Sequence, residues 1–228
     1  FRYKHGYGAG DINGDGLIDI VEAEGWWKQP RDWDGKTKWK FHKEDFARGQ
    51  RGGAQILVYD FNKDGLNDIA TSHYGHGWGL SVYVQYRDGA LSYFDEVEIL
   101  SPDGKPNAYG VAFSQLHALD LADMDNDGTM DIVTGKRFWA HGPGKDADPA
   151  GDAVLYWFKT QKVRRDLVFI PFKIHNNSGV GTQVTTGDIN GDGYPDVVVG
   201  NKKGAFVHLS EAKTANRAQW EAYVPQPK

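Results

Sequence analysis

Four times along this chain of 228 residues a short apolar run gives way to a block of oxygen-bearing side chains and glycine, and then to a second run rich in β-branched residues. The runs before the polar blocks cover residues 5–10, 54–59, 115–122 and 181–187. The runs after them read Ile-Asp-Ile-Val from Ile18, Asp-Ile-Ala-Thr from Asp68, Asp-Ile-Val-Thr from Asp131 and Asp-Val-Val-Val from Asp196. Short β-branched runs bounded by Gly and Asp predict strands. A Gly-containing turn and an aromatic third run follow each time, at Gly25–Lys28, Leu80–Gln85, Val154–Phe158 and Ala205–Leu209. A fourth run comes next, as in Leu91–Leu100, Leu167–Ile174 and Trp220–Val224. No segment shows helical periodicity, and 29 Gly with 9 Pro suit a turn-rich chain. Four short strands per repeat predict an all-β chain, a β-propeller of four-stranded blades. It is read as one domain over 1–228, with repeats at approximately 1–49, 50–108, 109–176 and 177–228, either as a whole ring or as part of a larger one. The third-strand aromatics are assigned to the core between blades.

The polar blocks share one pattern, Asp-x-Asn/Asp-x-Asp-Gly-x-x-Asp. Positions 1, 3, 5 and 9 are Asp11, Asn13, Asp15 and Asp19; Asp60, Asn62, Asp64 and Asp68; Asp123, Asp125, Asp127 and Asp131; and Asp188, Asn190, Asp192 and Asp196. Oxygens so spaced wrap a hard cation, and Gly at position 6 permits the sharp turn between them. One Ca²⁺ per loop is expected, held also by the backbone carbonyls at position 7, Leu17, Leu66, Thr129 and Tyr194. The EF-hand is the rival reading. The first loop meets its spacing, with Glu22 at position 12, but the others place Thr71, Thr134 and Val199 there. An EF-hand also needs flanking helices, and these flanks are strand-forming.

These loops and their strand context resemble the FG-GAP/VCBS repeat family, over nearly the whole chain. The resemblance implies a β-propeller with a calcium ion in the loop joining the first two strands of a blade. The segments Gly10–Pro30, Ile69–Gln85, Asp131–Phe158 and Gly179–Leu209 resemble secreted bacterial repeat proteins, often fused to other domains. A more distant similarity is to the propeller domain of aldos-2-ulose dehydratase-type sugar lyases. The family usually closes with seven blades, and four repeats are visible here.

Charge adds a distinction between surfaces. The loops hold three acids each in the first, second and fourth copies and four in the third, so 13 of the chain's 31 Asp and Glu lie there. The rest carries 18 acids against 26 Lys and Arg, too dispersed an excess to indicate nucleic acid. Cys is absent, so disulfides play no part. No apolar run is long enough to span a membrane and no signal peptide is visible. The chain does not begin with Met, and a processed product or a piece of a longer polypeptide is expected. The location expected from the resemblance is extracellular or periplasmic.

Candidate chemistry lies at the opposite ends of the strands. Thirteen residues after each loop start stand Glu24, His73, Lys136 and Asn201; six residues before it stand His5, Ala54, His117 and Thr182. His76, Arg137, His141, Lys202 and Lys203 adjoin these positions, and the segment 138–152, which includes Trp139, lengthens the same rim. This pattern predicts a site on the face opposite the calcium loops, built on His117, Lys136, Arg137, His141 and His73 as catalytic candidates. His5, His76, Trp139, Asn201 and Lys202 are the ligand-binding candidates, and a second divalent metal is considered on that face. Three functions fit: a secreted propeller that binds a carbohydrate or other extracellular ligand, a sugar lyase or dehydratase with a His base and a Lys/Arg oxyanion pair, and a non-catalytic scaffold or adhesion module. The partners to expect are a small molecule or glycan, other domains of a longer chain or a second copy, without nucleic acid. No Gly-x-Ser-x-Gly motif supports a serine hydrolase.

Overall fold

The computed structural model describes residues 6–89, 91–138, 141–142, 144–210 and 216–228, without the side chains of residues 217, 219 and 220. Four consecutive antiparallel sheets follow the four repeats, each ordered by sequence from first strand to last. Blade 1 holds β1 (Gly8–Gly10), β2 (Asp19–Glu22), β3 (Gly25–Lys28) and β4 (Lys40–Lys43). Blade 2 holds β5 (Ile56–Tyr59), β6 (Asp68–Ser72), β7 (Leu80–Asp88) and β8 (Leu91–Leu100), and blade 3 holds β9 (Leu119–Ala122), β10 (Asp131–Gly135), β11 (Leu155–Val163) and β12 (Asp166–His175). Blade 4 holds β13 (Val184–Gly187), β14 (Asp196–Asn201) and β15 (Gly204–His208). The fold is an all-β propeller, with its first strands innermost: β1 packs on β5, β5 on β9 and β9 on β13.

One element departs from the sequence reading. The expected fourth strand of blade 4, at 220–224, is instead part of a helix, α1 (Arg217–Tyr223). Arg, Ala, Gln and Glu in this segment favour helix, and the segment has little β-branched content to hold a sheet edge. Blade 4 therefore has three strands among the described residues.

Alternation along each strand decides what packs between blades. Ile69 pairs with Tyr83 across β6–β7, and both face blade 1, where they meet Ile12, Val21, Trp26 and Phe46. The next pair, Ala70 with Val82, faces blade 3 and joins Leu119, Ile132 and Phe158. In blade 3, Val133 turns the other way and joins Val184, Val197 and Val199 of blade 4. The cores thus occupy the three junctions between successive blades. Most third-strand aromatics lie in them, including Trp26, Tyr83 and Phe158. Trp27 does not: with Ile20 it lies on the outer face of blade 1, 36% exposed, beside a cavity of about 570 Å³ lined also by Tyr7, Glu22, Trp39 and Phe41.

The four loops share one face of the propeller and touch each other. The Asn67 side-chain amide donates to the Asp11 carbonyl, the Lys63 ammonium to the Gly128 carbonyl, and the Asn126 amide to the Gly193 carbonyl. Within each blade, the last Asp of the loop is fully buried at Asp19, Asp68, Asp131 and Asp196. Its Oδ2 accepts the backbone N–H at loop position 2, from Ile12, Phe61, Met124 and Ile189, at 2.8–3.0 Å. Its Oδ1 accepts a backbone N–H at or just beyond the third strand, from Gln29, Gln85, Thr160 and Ser210, at 2.7–2.9 Å. One carboxylate thus fastens loop, second strand and third strand. Asp131→Ala is expected to leave the Met124 and Thr160 amides without this acceptor and to cost about 2–5 kcal/mol in urea unfolding. A loss below about 0.5 kcal/mol would show that the fastening is dispensable.

Candidate functional site

The loop face gathers oxygen donors. The first Asp of each loop is held by backbone amides of its own turn: Asp11 accepts from Gly14, Asp15 and Gly16, and Asp188 from Gly191, Asp192 and Gly193. Asp60 and Asp123 accept in the same way from Asp64 with Gly65 and from Asp127 with Gly128. The position-5 Asp then accepts the amide of Leu17, Leu66, Thr129 or Tyr194. The position-6 glycines have φ of +83°, +89°, +85° and +87°. A Cβ on them would meet nothing within 4 Å, so what excludes other residues is the left-handed backbone itself. Carboxylate oxygens of Asp123, Asp125 and Asp131 lie within 4.8 Å of one another, a spacing that a divalent cation can close. Burial pushes Asp68 and Asp131 up to about 7, against the backbone hydrogen bonds that pull them down.

The loops are not equivalent, a point that the repeat pattern does not reveal. The residue before the amide that binds the last Asp is Lys28 in blade 1 and Lys159 in blade 3, but Val84 and Leu209 in blades 2 and 4. The Lys159 ammonium reaches both Asp125 and Asp127, and Lys28 lies 2.8 Å from Asp15. In loops 2 and 4 the position-3 amide closes on the position-5 carboxylate instead, Asn62 on Asp64 and Asn190 on Asp192, each at 2.9 Å. Loops 1 and 3 therefore hold a side-chain cation beside their oxygens.

On the opposite rim, blades 2 and 3 bring several candidates together. His76 lies in the turn between β6 and β7, and its ring is 5.3 Å from that of His117 and 4.7 Å from that of His141. His141 and Asp146 lie on the long connection between β10 and β11. Asp146 was not among the sequence candidates, yet its Oδ1 lies 2.9 Å from His141 Nδ1 and 3.5 Å from His76 Nδ1. Burial raises the Asp146 carboxyl, but hydrogen bonds from the His141 ring and amide more than offset it and hold the group low. Burial pulls the Arg137 guanidinium down, and the nearby Asp146 charge opposes this.

Lys136 is buried at 3% exposure and serves the loop. Its ammonium donates to Ser114 Oγ at 2.5 Å and to the Asp148 carbonyl at 2.6 Å, and lies 3.4 Å from the Asp148 carboxylate. Ser114 Oγ and Gln115 Nε2 donate to the Ala147 carbonyl at 2.8 and 3.0 Å. The connection is thus tied down from beneath at Ala147 and Asp148. Burial pulls the Lys136 ammonium below its ordinary value, and Asp148 offsets part of this.

Other candidates lie apart from this group. His73 is fully buried, with its Nε2 2.9 Å from Ser81 Oγ and 3.2 Å from Glu96. Burial raises Glu96, but hydrogen bonds from His73, Ser81 and Arg48 hold it at about 2. Glu24 lines the outer cavity of blade 1. Asn201 donates to the Ser178 and Val180 carbonyls in blade 4. Lys202 is exposed beside it. Lys203, its neighbour, sits 4.7 Å over the Phe138 ring at a cavity of about 400 Å³, lined also by Pro149, Asp152 and Asn177. His5 and Trp139 lie outside the described residues. The missed Asp146 follows His141 by five positions inside a Gly/Asp/Pro-rich loop, where periodicity offers no register.

Lys136→Ala is expected to free the connection: limited proteolysis should cut between 144 and 150 at least about tenfold faster, while the melting temperature falls by only a few degrees. Unchanged cleavage would mean that Ser114 and Gln115 suffice to hold it.

Comparison with known proteins agrees with the blade architecture. Residues 60–134 match the FG-GAP-like repeat and residues 180–207 the FG-GAP repeat. The chain is similar to phosphatidylinositol-glycan-specific phospholipase D of Rattus norvegicus, 38% identical over 109 residues, which is 45% of this chain and 12% of the relative. The chain therefore spans a small part of that relative's length. With these matched stretches set in consecutive antiparallel blades, the chain is similar to the FG-GAP repeat β-propellers.

Proposed function

We propose that this chain is a calcium-stabilised extracellular propeller that binds a hydroxyl-rich or anionic ligand, a glycan first among them, on the face opposite the calcium loops. The observation that carries the reading is the convergence of His76, His117, His141 and Asp146 near Arg137, contributed by two blades and placed at the end away from the loops. The cavity beside Phe138 and Lys203, about 400 Å³, is separate from this group: none of these side chains lines it. Arg137 offers paired donors to hydroxyl or carboxylate oxygens. The name of the relative gives it a phosphatidylinositol-glycan as substrate, which makes a glycan-bearing ligand the first chemistry to test here. Loops 2, 3 and 4, with Thr71, Thr134 and Val199 where a high-affinity site has its twelfth-position carboxylate, suit the calcium levels found outside cells.

The lyase reading is weaker than the binding reading for a stated reason. Lys136 is occupied in holding the 141–148 connection, and His73 is bound to Ser81 and Glu96, so an oxyanion role falls to Arg137 alone, with His117 as base. The scaffold reading predicts a rim whose side chains can be exchanged without loss of any partner.

Two measurements test the proposal. Calorimetry should show a melting temperature that rises with Ca²⁺ and falls with chelator, because the assembled loops bind metal and the unfolded chain does not. Lys159→Met should tighten calcium binding at loop 3 by removing the competing ammonium, whereas Val84→Lys should weaken it at loop 2. A melting temperature indifferent to calcium overturns the metal reading. For the rim, a glycan array probed at saturating calcium should give binding that His117→Ala and Arg137→Ala each reduce at least about tenfold, with calcium-dependent melting kept. Retained binding in both variants places the ligand elsewhere.

A further inference from the structure

We infer that His76, His141 and Asp146 form a site for a zinc-class transition-metal ion on this rim, separate from the calcium loops. Their ligating atoms all lie within 4.8 Å of one another. Asp146 Oδ1 is already 2.9 Å from His141 Nδ1 and 3.5 Å from His76 Nδ1. Donors on one tetrahedral zinc stand about 3.3 Å apart, given Zn–N and Zn–O bonds near 2.0–2.1 Å. The two Asp146–histidine separations thus already lie within about 0.4 Å of that spacing.

The chemistry of the donors separates this site from the loop face. The loops offer oxygen alone and suit a hard cation, whereas two imidazoles with one carboxylate suit zinc and its neighbours. Burial grades the group in a useful way: the Asp146 side chain is 5% exposed, that of His76 15% and that of His141 58%. A carboxylate shielded from water beside two imidazoles is a strong local attraction for a cation, and the exposed His141 leaves an entry path. The carboxylate is also held in place. The Ala147 and Asp148 carbonyls that follow it accept from Ser114, Gln115 and Lys136, and the Ala147 amide donates to the His76 carbonyl. His76 and Asp146 are therefore linked through backbone as well as through their side chains, an arrangement typical of supported ligands. The nearby Lys136 does not oppose a metal strongly, since the Asp148 carboxylate lies 3.4 Å from its ammonium. A second histidine pair, His175 and His208 with rings 5.1 Å apart, belongs to no such three-donor group among the described residues.

Three protein ligands leave one coordination position for water or for an oxygen of a bound molecule. The inference deepens the rim reading: the ion gives a hydroxyl or carboxylate ligand an attachment point beside Arg137. It is tested apart from that reading by binding zinc alone. The chelator-stripped full chain is returned to saturating Ca²⁺, to fill the loops, and titrated calorimetrically with Zn²⁺; Co²⁺ is added in parallel to read its visible absorption. One Zn²⁺ per chain is expected, with the intense Co²⁺ bands of four-coordinate geometry. His141→Ala and Asp146→Asn should each weaken it at least about tenfold at unchanged calcium-dependent melting, a loss in line with removal of a ligand. His208→Ala should leave it as it is. Zinc binding that is absent at micromolar concentration, that excess calcium displaces, or that neither variant weakens overturns the site. Glycan binding measured in zinc-free buffer, and lost in Arg137→Ala, would keep the rim reading even then.

Discussion

The buried aspartate that ends each loop is the constraint on which the blades depend. A carboxylate hidden from water is costly unless its oxygens find donors. Here both do, and in opposite directions: one oxygen takes the amide at the loop's second residue, and the other takes an amide at or just past the third strand. The two amides lie 17 to 24 residues apart in blades 1, 2 and 4 and 36 in blade 3, where the long connection intervenes. Insertions between the second and third strands are thus tolerated because the fastening lies at the far end from them. The rim can vary while the loop face stays fixed.

That division also separates the charges. The loop carboxylates face one end, and each is offset locally by backbone amides or by a lysine. At the other end the cations Lys136 and Arg137 lie near Asp146 and Asp148. Neither end depends on the other for charge balance. The β-strands between them, buried at nearly every inward position, hold the two ends apart as a rigid spacer.

The loops, the blade order and most strands were legible because their signals are short-range and repeat. A spacing of nine residues with Gly at the sixth reports a turn and its donors directly, and alternating Val and Ile report the strand that follows. The rim was legible only in part. Counting from the loops gave His117, Lys136 and His73, with Arg137 adjoining, but it assigned His73 and Lys136 by position, whereas their surroundings decide their roles. His73 meets Glu96 and Ser81 across a neighbouring strand pair, a contact that sequence spacing cannot report. Asp146 sits in an irregular connection whose following carbonyls are held by Ser114, Gln115 and Lys136, contacts that no sequence spacing reports. At the last blade, helix-forming residues prevailed over an expected strand because no sheet contact outweighed their local preference.

The cores between blades grade the stability of the array. Blades 2 and 3 bury both faces: Ile69 and Tyr83 pack one way and Ala70 and Val82 the other, and Ile132 and Val133 divide in the same manner. Blades 1 and 4 each contribute one face to a core. On blade 1, Ile20 and Trp27 remain exposed on the outer side, and on blade 4 Val207, Leu209 and Ile189 are more than half exposed. Repeats of this kind gain much of their stability from contact with a neighbour. The junction of blades 2 and 3 is therefore the firmest part of the array, and it is the junction that carries the His76, His117 and His141 cluster. A site assembled from two blades keeps its geometry only if those blades do not shift against each other. The largest of the cores, from Phe61 and Leu80 through Phe158 to Phe169, lies directly between them.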